Sequence, residues 1–250
     1  MFVRLLQLKI KPDEMPAMAV LYESKILPAL QSTGECVCAF LMQSVGKPEE
    51  AISLTLWQSE DASSAYERSG LFMRLVADAR PFFAESTDWK LRLSEDLTLE
   101  YRADDAEPAV KRYSLSAATG PSFPAHEPSN PMFLRIVVVH LKPGMLQEYR
   151  TLYEENIVPA LVATHGCAHA CLLAPAGDGD EAISVTVWRS RVDADAYERS
   201  GAFRDLLRKV SHTLTDLSQM GLESAGTRLP SVTSEDVRVE GYRVIAGRNL

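Results

Sequence analysis

Basic residues are in short supply: 26 Lys and Arg stand against 34 Asp and Glu, for a formal net charge of -8 and a pI near 5.2. A surface that neutralises phosphates needs clustered Lys and Arg, so nucleic acid is excluded as an expected partner. Long apolar runs are also missing. No continuous apolar run reaches the roughly 18–20 residues that a spanning helix needs. The opening MFVRLLQLKIKPDE carries Arg4 and Lys9 inside its apolar stretch, so it reads as a first strand and not as the core of a secretory signal. The expectation is a cytoplasmic protein without membrane contact. Cysteine is scarce too, and four residues in a chain of 250 without a secretory signal fit reduced thiols better than a disulfide framework. What remains is an ordinary globular composition, 46% hydrophobic and 24% charged, enough for one large domain or two smaller ones.

The organising feature is an internal repeat. Phe133 placed under Phe2, a shift of 133 - 2 = 131, aligns RLLQLKIKP with RIVVVHLKP, LYESKILPAL with LYEENIVPAL, EAISLTLWQS with EAISVTVWRS, and AYERSGLF with AYERSGAF. Roughly a third of the positions from Phe2 to Phe83 match without a gap, which marks duplication and fusion. Further on, LSEDLTLEYR resembles TSEDVRVEGYR at 233 - 93 = 140, implying about nine extra residues around Gly221 to Ser231. The expected division is a first repeat over 1–102, a linker over 103–131 rich in Pro, Ser, Ala and charge, and a second repeat over 132–250.

Within each repeat the periodicity changes in a readable order. FVRLLQLKI is an extended apolar segment closed by Lys11-Pro12, which suits a strand. Apolar positions Met15, Met18, Tyr22, Ile26 and Leu30, matched by Leu146, Tyr149, Tyr153, Ile157 and Leu161, recur at three and four, the spacing of one buried helical stripe. Pro28 and Pro159 predict a kink or an end near its close. Two strands follow, CVCAFLMQSV and AISLTLWQS, then a helical region over 61–83 broken at Ser69-Gly70, and LTLEYR as a last strand. The order is β-α-β-β-α-β twice. The fold class expected is therefore α+β: two ferredoxin-like repeats packed sheet to sheet as an intramolecular α+β barrel, a fused pseudo-dimer whose further pairing into a homodimer is left open.

Strand alternation separates Ile52, Leu54 and Leu56 from Ser53, Thr55 and Trp57, and Ile183, Val185 and Val187 from Ser184, Thr186 and Trp188. The first set is core. The second mixes an aromatic with hydroxyls, the composition of a small-molecule pocket wall, although packing of the Trp with satisfied hydroxyls is the competing reading. Tyr66 and Tyr197 sit where a helix looks back at that face, as proton donor or packing aromatic. Arg4 and Arg135 share their strand face with Leu6 and Val137 and could hold a phenolate or carboxylate, or reach water. Cys167, His169 and Cys171 alternate along one strand, as Cys36 and Cys38 do in the first copy, which predicts one common face; that spacing is awkward for a tetrahedral ion, so no metal is expected.

The segments KIKPDE and HLKPG, LTLWQS and VTVWRS, and AYERSGLF and AYERSGAF resemble those of the antibiotic-biosynthesis monooxygenase family within the dimeric α+β barrel superfamily. The resemblance covers nearly the whole chain apart from the linker. Haem-degrading members carry an Asn, an aromatic and a His where this chain has Leu6 and Val137, Tyr66 and Tyr197, and Val76 and Leu207, so only the aromatic is kept. Cofactor-free quinone-forming members carry an Asn four residues before the strand-three Trp, where this chain has Ser53 and Ser184. The resemblance therefore implies a cofactor-independent monooxygenase, with no cofactor, acting on a small aromatic or quinol-like substrate. Ser53, Tyr66, Ser184 and Tyr197 would be its catalytic groups; Trp57, Thr55 and Arg4, with Trp188, Thr186 and Arg135, would bind substrate. The alternative is a non-catalytic small-molecule binding or stress-associated protein on the same fold.

Overall fold

The first strand ends where Lys11-Pro12 forces a turn, and the chain then winds into a helix that brings Met18, Tyr22 and Leu30 down onto the sheet. A computed structural model describes residues 1–84, 90–93, 99–102, 110–119, 132–175, 179–215 and 238–250. In the first half, β1 (Phe2–Lys9) leads to α1 (Met15–Leu21), a π-helical turn (Tyr22–Ile26) and α2 (Leu27–Gln31). Then come β2 (Cys36–Ser44), β3 (Glu50–Trp57), α3 (Glu60–Arg68) and α4 (Leu71–Ala79). A separate two-stranded sheet, β4 (Lys90–Leu93) with β5 (Leu99–Arg102), precedes β6 (Val110–Ala118). The second half repeats the plan as β7 (Phe133–His140), α5 (Leu146–Leu152), a π-helical turn (Tyr153–Ile157) and α6 (Val158–Val162). It continues with β8 (Cys167–Pro175), β9 (Glu181–Trp188), α7 (Arg191–Arg199), α8 (Ala202–Val210) and β10 (Arg238–Asn249).

Eight strands close into one antiparallel barrel in the order β1-β3-β2-β10-β7-β9-β8-β6. Each half contributes a ferredoxin-like run, and the runs join edge to edge where β2 meets β10 and β6 meets β8. Closure removes the unpaired edges that an isolated four-stranded sheet would expose. Val3, Leu5, Leu54 and Leu56 from one half meet Leu134, Ile136, Val185 and Val187 from the other in a shared interior core. Helices cover the outside, with a second apolar cluster under each set. Polar contacts also cross between halves, among them the Tyr113 hydroxyl donating to Glu181 and the Gly247 N–H donating to Glu23 Oε1 at 3.1 Å. Gly247 has φ +139°, and a Cβ there would run into the backbone of Ala39 and Phe40, so the close approach of β10 to β2 requires glycine.

The structure corrects the expected fourth strand. LTLEYR, read as that strand, supplies β5 of the small sheet, while the strand that pairs with β1 is β6, inside the stretch 103–131 expected to be linker. The equivalence of β6 and β10 is exact in register: Tyr113 opposes Val3 as Tyr242 opposes Leu134, a shift of 242 - 113 = 129, and bulges fall at Leu115/Ala117 and Val244/Ala246. The last strands therefore share VKRYSLSA against VEGYRVIA, a match shorter than LSEDLTLEYR but set by ladder pairing. The extra residues expected around Gly221 to Ser231 lie outside the described residues. The helix at Pro28 also differs from the expectation of a kink or an end. Helical structure runs through 15–31, and the π turn just before Pro28 widens the coil where the proline ring would press on the carbonyl four residues earlier.

The repeated AYERSG is a helix-to-helix corner. Ser59 and Ser190 cap α3 and α7 through the N–H of Ala62 and Asp193, at 3.1 and 3.2 Å. At the other end, Ser69 and Ser200 donate to the carbonyls of Tyr66 and Tyr197, and Gly70 and Gly201 take φ of +72° and +82° to start α4 and α8. The hexapeptide thus fixes where its Tyr and Glu point.

Candidate functional site

Between the helix-facing side of β1 and β3 and the helices of the first half lies a cavity of about 50 Å³. Its wall is mostly apolar, from Leu6, Leu8, Met18, Phe72, Leu75 and Val76. Polar groups enter from Arg4 on β1, Tyr22 on the π turn, Ser53 and Thr55 on β3, and Tyr66 on α3. Of the first-half residues expected at a site, Arg4, Ser53, Thr55 and Tyr66 line this cavity together. Trp57 does not. It is fully buried, donates its indole N–H to Thr55 Oγ1 at 2.9 Å and stacks on Tyr66 at 4.8 Å between ring centroids. Trp188 is likewise fully buried, donating to Thr186 at 2.9 Å with its ring 5.0 Å from that of Tyr197. The tryptophans end their strands behind the tyrosines, so each backs the aromatic that faces inward.

Most of the hydroxyls are already committed. Tyr22 and Ser53 hydrogen-bond at 3.0 Å, and Thr55 accepts from Trp57. In the second half Tyr153 donates to the carbonyl of Cys171 at 3.2 Å, which leaves Ser184 as the donor in the 2.8 Å contact with Tyr153. Ser53 and Ser184 are thus held by the buried helix tyrosines, a partnership that strand alternation alone did not reveal. Burial raises the Tyr66 phenol above its ordinary range, against the pull of the neighbouring Arg4 cation. It pushes Tyr197 up to about 12, with Arg135 opposing. Both phenols are protonated at neutral pH, able to donate a hydrogen bond and unable to act as a base.

Arg4 is the unusual group. It is 4% exposed, and its guanidinium lies over Phe72 at 4.6 Å and Tyr66 at 5.2 Å. Its Nη2 donates to Glu67 Oε1 at 2.6 Å, and that carboxylate also receives Arg112 Nη2 on both oxygens at 2.8 Å. Arg4 Nε has no hydrogen-bond partner among the described residues. A buried N–H left unmade costs free energy of about 1–3 kcal/mol, so the position calls for an acceptor. Glu67 and Glu198, the Glu of each AYERSG, and Arg112 were not singled out from the sequence as site residues. The available signal was the retention in each copy of both an Arg on the first strand and a Glu on the helix after the third strand, α3 or α7.

The alternating cysteine and histidine positions part company. A bulge between Cys167 and His169 turns Cys167 toward the helix-side cluster, whereas Cys171 packs in the barrel interior. The same bulge separates Cys36 from Cys38. Strand alternation predicts a common face; the extra residue of the bulge removes it. His169 Nδ1 sits 2.9 Å from Thr119 Oγ1, and burial lowers its pKa. Among the described residues no group of His, Cys, Asp and Glu is placed to hold a metal. Burial also holds the thiols in their protonated form, Cys36 and Cys171 pushed up to about 12 and Cys167 to about 11. Native protein at pH 8 is therefore expected to resist thiol-disulfide reagents, with all four cysteines reacting only on denaturation. Fast labelling of Cys36 in the folded state would contradict this burial.

An α+β barrel of two ferredoxin-like halves with a sheet-to-helix cavity is a known architecture. Residues 132–209 match the family model for antibiotic biosynthesis monooxygenase, and the first half repeats the fold of that stretch. No curated protein matches the sequence. Among solved structures, a protein from Lactobacillus acidophilus provisionally named a monooxygenase superposes with a TM-score of 0.66 at 7% identity, covering 99% of this chain and 95% of that one. A protein from Fusobacterium nucleatum named in the same provisional way gives 0.65 at 10% identity, with 99% and 94% covered. An anthrone oxidase-like protein gives 0.59 at 12% identity, with 99% and 92% covered. Identities this low establish the shared fold. Among the described residues no helix is long and apolar enough to cross a membrane.

Proposed function

We propose that the chain is a cofactor-independent monooxygenase acting on a small phenolic or quinol-like aromatic between sheet and helices. The observation that carries this reading is the Arg4 side chain, a buried cation with an unmet N–H in an otherwise apolar wall. A phenol bound there is acidified by the adjacent charge, and its phenolate accepts the Arg4 Nε hydrogen bond. The electron-rich ring carbon then reacts with dioxygen: a C–O bond forms, a proton completes the hydroperoxide, and the O–O bond breaks with loss of water to leave a carbonyl. Ring C–H plus phenol O–H plus O2 thus gives a quinone and one water. Tyr66, Ser53 and Tyr22 orient the oxygens as hydrogen-bonding hydroxyls. The fold shared with an anthrone oxidase-like protein supports this choice of chemistry.

A second reading has its own observation. Neither a carboxylate nor an imidazole lines the described cavity, so no strong base is at hand, and about 50 Å³ is far below the 300–1,000 Å³ of ordinary ligand pockets. A protein that opens to hold an aromatic without oxidising it would have these properties. Oxygen uptake by metal-stripped protein with a panel of hydroquinones and anthrones decides between them. The oxygenase reading expects uptake above buffer, reduced about 10- to 100-fold in Arg4→Met, the loss of one charge-assisted hydrogen bond. Thermal stabilisation by the same compounds with uptake at the buffer rate would instead establish the binder.

A further inference from the structure

The two halves carry the same strand-one arginine and the same helix glutamate, yet pair them differently. In the second half Arg135 Nε donates to Glu198 Oε1 at 2.5 Å, and its guanidinium stacks over Phe203 at 4.1 Å. In the first half the glutamate is held on both oxygens by Arg112, and Arg4 reaches it through Nη2, leaving Nε unpartnered. Arg112 is the cross-strand neighbour of Arg4, and the position equivalent to it in β10 is Gly241, opposite Arg135. A side chain cannot stand at Gly241, because its Cβ would run into the ring of Phe133. The equivalent Phe2 is buried instead, which leaves the β6 position open for a cation.

The filling of the two halves differs as well. Around the described cavity, Met18, Val76 and Ala79 face the space; their counterparts are Tyr149, Leu207 and Val210, all buried in the second half's apolar cluster. Each of these three exchanges adds bulk on the helix side, while Leu6, Leu8 and Phe83 are replaced by the smaller Val137, Val139 and Leu214.

We infer that the chain binds one anionic-oxygen ligand, a phenolate, in its first half only, that Arg112 is the positioning residue that frees Arg4 Nε to receive it, and that the second half is the structural copy. Arg112 acts through Glu67: by clamping both carboxylate oxygens it prevents the glutamate from turning onto Nε, the arrangement that Arg135 and Glu198 adopt. This rests on the reading of the sheet-to-helix cavity as the small-molecule site, and it makes the half that lies outside the matched stretch 132–209 the working one.

The test is nitrogen NMR of arginine Nε in the full chain, with 4-nitrophenolate as the probe and Arg4→Lys and Arg135→Lys to identify the two resonances. The expected result is one equivalent of probe per chain, shifting Arg4 Nε and leaving Arg135 Nε in place. Arg135→Lys should leave the affinity within about twofold, since that side chain touches no ligand. Arg112→Ala should move Arg4 Nε to the position characteristic of Arg135 and weaken the probe about tenfold or more, as expected when an ionic hydrogen bond is pre-empted. Arg112→Lys, which retains a cation beside Glu67, should recover part of the binding. An unmoved Arg135 resonance in Arg4→Lys, Arg112→Ala and Arg112→Lys, and an unmoved Arg4 resonance in Arg135→Lys, report that the fold is intact. Two equivalents of probe, a shift of both resonances, or unchanged binding in Arg112→Ala would overturn the inference. Oxygen uptake keeps the two readings apart. Binding at Arg4 with no quinol oxidised would remove the oxygenase and leave this inference standing. Uptake depressed equally by Arg4→Lys and Arg135→Lys would remove the inference and leave the oxygenase.

Discussion

Replacing Trp57 with alanine is expected to destabilise the protein by about 3–5 kcal/mol, the range for deleting a buried indole. The indole is fully buried, stacked on Tyr66 and hydrogen-bonded to Thr55, and it lies behind the cavity wall rather than on it. Removing it leaves Thr55 Oγ1 without its donor and opens a void under Tyr66 that the barrel strand cannot close. Trp188→Ala should cost a similar amount, because the same stack and the same bond recur with Tyr197 and Thr186. Trp57→Phe, which keeps an aromatic plate but not the N–H, should lose less, about 1–3 kcal/mol. Urea unfolding of the three variants checks these values. A Trp57→Ala protein with wild-type stability and altered ligand binding would return the tryptophan to the pocket wall.

That prediction inverts one expectation drawn from the sequence, and the reason is instructive. Alternation along AISLTLW correctly places Ser53, Thr55 and Trp57 on the helix side and Ile52, Leu54 and Leu56 in the barrel. Period two fixes the face of a side chain but not its depth along the strand. Ser53 and Thr55 fall mid-strand over the cavity, whereas Trp57 is the last residue of β3 and folds back under α3. The barrel itself was legible because six of its eight strands and four helical stretches repeat at one offset. Its closing strands were not: β6 and β10 share only VxxYxxxA, and they are chosen by the ladder with β1 and β7 and by a common bulge. LSEDLTLEYR offered a longer match and lost because pairing across β1 is settled by register. Bulges also defeated the reading of Cys167, His169 and Cys171 as one face, since a single extra residue reverses the alternation. Arg4 was visible as an arginine among apolar neighbours. What distinguishes it from Arg135 is Arg112, more than 100 positions away in sequence, and only the barrel brings the two together.

Raising the pH should unfold this protein in one cooperative step well before its tyrosines would ionise in place. Six of the eight tyrosines, Tyr22, Tyr66, Tyr113, Tyr149, Tyr153 and Tyr197, have phenols raised by burial, and Cys36, Cys167 and Cys171 are raised to about 12, 11 and 12 by the same cause. Exposed counterparts ionise near 10 for tyrosine and about 8.5 for cysteine. Between those values and the folded ones the unfolded chain binds fewer protons than the native chain, so stability falls as pH rises. The contribution is complete below about pH 8.5, begins to be lost to the thiols above it, and steepens near pH 10 as the phenols join. Each proton of difference is worth about 1.4 kcal/mol per pH unit, so several groups acting together exhaust a typical 5–15 kcal/mol within one or two units. Tyrosinate absorbance and far-ultraviolet circular dichroism should therefore change together, at a midpoint between about pH 10 and 11. Tyr149→Phe is the sharpest variant, because burial alone raises that phenol: it should move the midpoint upward while leaving stability at pH 7 unchanged or slightly increased. Tyrosines that titrate one by one near pH 10 in a protein keeping its circular dichroism would mean that the helix faces over the sheet open to water, and the cavity beside Arg4 would widen with them.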